Sequence, residues 1–195
     1  MRSFKRLLLP FIAILTLMLL AGCSPKPPRQ IYLDPHPSVG SARALPGMQV
    51  NLTVLDLRPQ HYLMAIHTPG KEQAQLVTSA NNVRKSIYQA VKKALSERDI
   101  TVSDKAADTL KIEIMTLNNR TVQHPTDYIA IDQVTLKASF SSKHSQIVRQ
   151  YTASRRNTGS FGVDMSEQQT QLNQTLNAVL TGILTDHKLL TQASL

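Results

Sequence analysis

Three stretches in the second half of the chain alternate between apolar and polar residues. Residues 109–117 set Leu110, Ile112 and Ile114 against Lys111 and Glu113, and residues 128–140 set Val134, Leu136, Ala138 and Phe140 against Thr135, Lys137 and Ser139. Residues 146–154, with Ile147, Val148 and Tyr151, are rich in strand formers. Successive side chains of a strand point to opposite faces, so these stretches predict a sheet with one apolar face that something else must cover. Residues 48–57 repeat the pattern with Val50, Leu52 and Val54, and Pro59 closes it because proline cannot donate to a ladder. The apolar runs 61–66 and 74–77 flank Thr68-Pro69-Gly70-Lys71, a turn sequence, and read as a hairpin. The polar loop 141–145 suits a second hairpin.

Two helices supply the cover. In residues 78–98, Val83, Ile87, Val91 and Leu95 recur every four residues, with Thr78 or Ser79 as the expected cap. Arg84, Lys85, Lys92, Lys93 and Arg98 fall on the other side. Residues 99–102 follow as a connector or short strand. After Phe161, flanked by Gly159 and Gly162, Ser166 and Gln169 have capping-box spacing. They open a helix to about residue 190, with the stripe Leu172, Leu176, Val179, Leu180, Ile183 and Leu184. The expectation is a single α+β domain over 48–195: a two-layer sandwich, mainly antiparallel sheet with two amphipathic helices packed on one face.

The first 47 residues read differently. Residues 7–20 are a greasy block interrupted by Pro10 and preceded by Arg2, Lys5 and Arg6, the layout of a secretory signal. The other reading, an uncleaved anchor, needs ~20 apolar residues and fits the short block less well. Leu20-Ala21-Gly22-Cys23 resembles the lipobox of bacterial lipoproteins. Small residues at 21 and 22 admit a peptidase, and the Cys23 thiol takes up diacylglycerol. Cleavage then frees an amine on Cys23 for a further acyl chain such as palmitate. Cys23 is the only cysteine, so lipidation also removes a free thiol from an oxidising compartment. Ser24 follows it, which by resemblance to the usual sorting rule favours the periplasmic face of the outer membrane. Residues 1–22 are therefore read as signal peptide, and 23–47 as lipidated cysteine and tether. The tether holds six of the ten prolines; in polyproline form, at ~3.1 Å per residue, it would reach roughly 70 Å. Packing of Ile31-Tyr32-Leu33 on the domain would shorten that reach.

Charge and motifs narrow the function. The formal charge is +9, and three of the basic residues lie in the signal, leaving about +6 on the mature chain. Export makes nucleic acid a poor partner and leaves anionic lipid, cell-wall polymer or an envelope protein. The histidines (His36, His61, His67, His124, His144 and His187) show no metal-ligand spacing; His61 and His67 are the best placed, and no metal is expected. Asp127, Asp132 and Glu113 are the carboxylates nearest to a catalytic pair, yet nothing in the sequence brings them together. Nucleophile elbows, phosphate loops and dinucleotide fingerprints are absent from the sequence. No enzyme and no cofactor are expected beyond the covalent diacylglycerol and N-acyl lipid on Cys23. The basic side of the first helix is the candidate binding face, Arg155-Arg156 a weaker one. Phe161 either contacts a partner or plugs the core.

The lipobox, the strand 49–57, the helix from Ser79 to Arg98 with its β-prone sequel, the last helix and the step Val77-Thr78-Ser79-Ala80 together resemble the YajG family of bacterial lipoproteins. The resemblance spans most of the mature chain and implies an outer-membrane lipoprotein of uncharacterised biochemistry. The function expected is a non-catalytic binding or assembly module of the cell envelope, its oligomeric state open. The alternatives are a self-assembling structural component and an enzyme with an unrecognised site.

Overall fold

The computed structural model describes residues 29–40 and 42–191. The signal, Cys23 and the lipobox residues Leu20, Ala21 and Gly22 lie outside the described residues. Within them run β1 (Gln30–Ile31), β2 (Gln49–Asp56), β3 (Tyr62–His67), β4 (Gln75–Ser79), α1 (Val83–Ser96), β5 (Thr101–Val102), β6 (Thr109–Gln123), β7 (Asp127–Ser141), β8 (Gln146–Ser160), α2 (Met165–Thr185) and α3 (His187–Thr191). No described helix is long and apolar enough to cross a membrane.

The spine is β6. Along one edge it pairs antiparallel with β7 over its whole length, and β7 pairs likewise with β8. Its other edge is shared in parallel by two strands end to end: β2 from Asn51↔Thr109 to Asp56↔Ile114, then β3 from Met64↔Asn119 to His67↔Val122. The gap between them falls at residues 57–61, where Pro59 interrupts the ladder. Arg58 turns inward there: its guanidinium grips Asp56 at 2.8 Å and donates at 3.2 Å to the carbonyl of Leu117, inside the gap. A bulge at Met115 shifts the phase, so that Leu117, Asn119 and Thr121 continue the buried face after Leu110, Ile112 and Ile114.

The sheet is thus mixed, which corrects the expected mainly antiparallel two-layer sandwich. The β1–β4, β2–β5, β2–β6 and β3–β6 pairings are parallel, and only β3–β4, β6–β7 and β7–β8 are antiparallel. Two parallel strands need a crossover between them, and α1 lies in the connection from β2 and β3 to β6. Period-two alternation fixes which face is buried but not the direction of the neighbour. The 61–77 hairpin does form, as β3 and β4. Both helices share one core with the sheet, the α1 residues Ile87, Val91 and Leu95 and the α2 stripe being buried together. The caps move inward. Asn82, not Thr78 or Ser79, accepts from the amide of Lys85, because β4 uses residues to Ser79. Asp164, not Ser166, caps α2, which ends at Asp186 before the short α3.

The largest correction concerns the tether. Residues 31–39 form an extended strap that belongs to the core: Ile31, Leu33, Pro35, Pro37 and Val39 are buried, while Tyr32, Asp34, His36 and Ser38 are exposed. The amides of the exposed residues donate in order to α2: Tyr32 to Gln169 Oε1 (2.7 Å), Asp34 to Asn173 Oδ1 (2.9 Å), His36 to Asn177 Oδ1 (2.7 Å) and Ser38 to Thr181 Oγ1 (3.1 Å). Two extended residues advance ~6.6 Å and four helical residues ~6 Å, so the two repeats stay in step. The opposite strap edge uses Asn81, which accepts from the Leu33 amide and donates to its carbonyl. Pro35 and Pro37 follow on that edge, where their missing N–H groups need no acceptor.

Candidate functional site

A cleft of about 590 Å³ opens between the strap and α1. Its floor is apolar, from Leu33, Pro35, Pro37, Ala90 and Ala94; its rim carries Lys85, Gln89, Lys93 and Glu97 from α1, and Tyr32, Asp34 and His36 from the strap. The cleft exists because Ala90 and Ala94 are too short to close on the two prolines. Asp34 and His36 form an exposed pair at 3.1 Å, and Ser86 is engaged by Asn81 at 2.7 Å. The arrangement sets two ammonium groups, Lys85 and Lys93, and two carboxylates, Asp34 and Glu97, around an apolar floor, which is binding chemistry for an amphipathic group.

Of the expected basic face, Arg84, Lys85, Lys92 and Lys93 are exposed. Lys85 and Lys93 reach the cleft, and Arg84 borders shallower depressions beside β2. Arg98 does not belong to this face. It is 1% exposed, past the end of α1 where the chain has turned inward. Its guanidinium donates to the carbonyl of Arg43 at 2.7 and 3.1 Å and to that of Leu184 near the C-terminus of α2. Carbonyls at a helix end carry partial negative charge, so they hold the cation without a carboxylate. Burial lowers its pKa from the usual arginine value. Arg98 ties α1, the end of the strap region and α2 together.

A second polar group lies under α2. Asp132, fully buried, accepts from Asn119 Nδ2 (2.7 Å) and Thr175 Oγ1 (3.4 Å); Asn119 also donates to Gln168 Oε1 (3.1 Å) and accepts from Thr121 (2.6 Å). Gln168 donates to the hydroxyl of buried Tyr128, which donates to Glu167 at 2.9 Å. Burial pushes the Asp132 carboxyl above its ordinary range, against the donors Asn119 and Thr175 and the charge of Arg155. Burial likewise raises the Tyr128 phenol, helped by its bond to Glu167. The ring of Tyr128 lies on Gly159 of β8, and a Cβ there would come within 2.5 Å of the hydroxyl oxygen. The network replaces apolar packing under the first half of α2, and its groups satisfy one another. It lines none of the clefts described above or below.

The remaining candidates separate. Asp127 is exposed and on the opposite face of β7 from Asp132. Glu113 lies on the uncovered face of β6 between Lys111 (3.0 Å) and Lys137 (3.1 Å), whose hydrogen bonds hold its carboxyl below the ordinary range. His61 borders a shallow depression with Arg58, and His67 is exposed at the end of β3. Among the described residues no group of His, Cys, Asp and Glu is arranged to hold a metal. Arg155 donates to Gln174 on α2, while Arg156 points to the other face. Phe161 does not plug the core: it is 73% exposed, with φ at +63°.

Fold and surface define a small mixed α/β domain with a curled sheet, two helices on one face and an N-terminal strap between them. The chain belongs to the family described as uncharacterized lipoprotein (Lipoprotein_16), which matches residues 35–192 and is the YajG family that the sequence resembles. No curated protein matches the sequence. Among solved structures, the chain is similar to protein XCC0632 of Xanthomonas campestris, of the DUF330 family. Identity is 13%, the TM-score is 0.55, and the match covers 84% of this chain and 96% of that one. A second similar structure, titled an uncharacterized protein, has 10% identity and a TM-score of 0.48 over 80% of this chain and 97% of that one. At 13% identity the likeness to XCC0632 concerns the fold alone.

Proposed function

We propose that this lipoprotein is a non-catalytic module anchored through Cys23 to the periplasmic face of the outer membrane, where it holds an amphipathic component of the cell envelope. The observation that carries the reading is the cleft between strap and α1, with Lys85 and Lys93 above an apolar floor. The buried carboxylate, Asp132, is sealed under α2, where a substrate has no access. Family membership supports the lipid anchor, and Ser24 favours the outer membrane.

Two measurements test this. Labelled palmitate should enter the wild-type chain and not Cys23→Ala, and the label should sediment with outer-membrane fractions. A photo-crosslinker at Gln89, in the cleft, should trap an envelope component in cells, and the adduct should vanish in Lys85→Glu/Lys93→Glu. Adducts unchanged by that double substitution would remove the cleft from the function. A second reading, self-assembly, is favoured by β8, which has no strand partner beyond β7 among the described residues. Its Arg149 and Arg155 fold back to Asp186 and Gln174 instead of guarding the edge. A strict monomer in light scattering at high concentration excludes it.

A further inference from the structure

One end of the sheet gathers three connections. The β6–β7 turn follows Gln123, the β3–β4 turn follows His67 beside Val122, and the β8–α2 loop follows Ser160, opposite Asp127. Phe161 stands in that loop, its amide bonded to the carbonyl of Thr126 at 2.7 Å. It combines two unfavourable features: a large apolar side chain left in water, and a left-handed backbone that a bulky residue adopts only under strain. A glycine would remove both. Leu76, 53% exposed on β4, and the cations Lys71, Arg120 and Arg156 lie toward the same end, with Glu72, Asp127, Asp164 and Glu167 as the acids among them.

The anchor bounds how far this end can be from lipid. The strap enters at Gln30, which pairs with Thr78 in parallel with β4, so Arg29 lies on the side of the turn end. Cys23 is seven residues before Gln30, at most about 25 Å of extended chain. Gln30 is level with Tyr62, since both partner Thr78, and the sheet continues from Tyr62 to His67, about 17 Å. The anchor can then stand no more than about 8 Å beyond the tip of the sheet.

We propose that this end of the sheet is a membrane-contact surface: Phe161 enters the headgroup region of the bilayer that carries the Cys23 lipid, and Lys71, Arg120 and Arg156 face its phosphates. The inference rests on the lipid-anchor reading and adds an orientation to it. A lipid anchor alone lets a domain tumble on its leash, whereas a second point of contact fixes which faces meet the periplasm. With the turn end down, the cleft at the strap and α1 stays clear of the headgroups.

The chain contains no tryptophan, so a single introduced one reports its own surroundings. The full mature lipidated protein would be reconstituted into phosphatidylethanolamine–phosphatidylglycerol vesicles as Phe161→Trp and, for comparison, Val148→Trp, an exposed site near the β7–β8 turn at the other end. Lipids brominated along the acyl chain should quench the tryptophan at 161 at least twofold and shift its emission to the blue, and leave that at 148 unchanged. Protein that floats with the vesicles but shows equal, weak quenching at both positions overturns the orientation and leaves the anchor intact. Protein that fails to float overturns the anchor as well.

Discussion

Replacing Leu33 by alanine separates a docked strap from a free tether. Leu33 is fully buried, and both its amide and its carbonyl are held by Asn81. Leucine-to-alanine changes in cores cost about 2–5 kcal/mol, more where the cavity cannot relax. Leu33 borders the cleft beside α1, so water and Lys85 can partly fill the space. The loss should therefore fall at the lower end, about 2–3 kcal/mol. For a domain of this size, each kcal/mol moves the Tm by roughly 2–4 °C, giving a fall of about 4–12 °C. Tyr32→Ala is the companion, since its side chain is half exposed and such changes usually stay within about 0.5 kcal/mol. Guanidinium unfolding and calorimetry of residues 24–195 would read both. A Leu33→Ala protein as stable as Tyr32→Ala would refute the docked strap, because a tether has no core to lose.

Two further outcomes follow from the polar network. Gly159→Ala must displace the Tyr128 ring and with it the bonds to Glu167 and Gln168; crowding and two lost bonds together should cost about 2–4 kcal/mol, readable as a lower denaturation midpoint. Asp132 has a raised carboxyl pKa when folded, so the folded state binds that proton more tightly than the unfolded chain. Its contribution to stability is then present below the ordinary aspartate range and is lost as pH rises through the folded value. Asp132→Asn removes this loss and keeps an acceptor for Asn119. Unfolding titrations at pH 4 and pH 7 should show the variant gaining on wild type with rising pH, and a constant gap would contradict the assignment.

Much of the core was readable from pattern. The stripes of both helices and the alternating faces of β2, β6 and β7 are buried as read, because burial follows periodicity directly. Direction did not follow: parallel pairing of β2 and β3 on one edge of β6 depends on a crossover that no local pattern encodes. The strap did leave a signal, apolar at every odd position from Ile31 to Val39. Pro35 and Pro37 disguised it, since proline in a soluble linker and proline on an unpaired strand edge look alike in sequence. The partner row Gln169, Asn173, Asn177 and Thr181 was equally visible at four-residue spacing but reads as an ordinary wet helix face. Arg98 leaves the basic face because the helix ends at Ser96, short of the span 78–98 that its periodicity predicts. The cleft was half legible: Lys85 and Lys93 carry it, but its other wall is the strap.

The bonds between strap and α2 join residues 137 to 143 positions apart, and that separation sets an order of assembly. The strap, synthesised early, finds its seat only on α2, which emerges late. Long loops close slowly, so Ile31, Leu33 and Val39 have no complete site until α2 has emerged and settled on β7 and β8. For a chain delivered from its N-terminus, the seam between strap and α2 can close only once α2 is in place. Until then the domain is threadable, and a truncation within α2 would leave the leading end of the protein without its place.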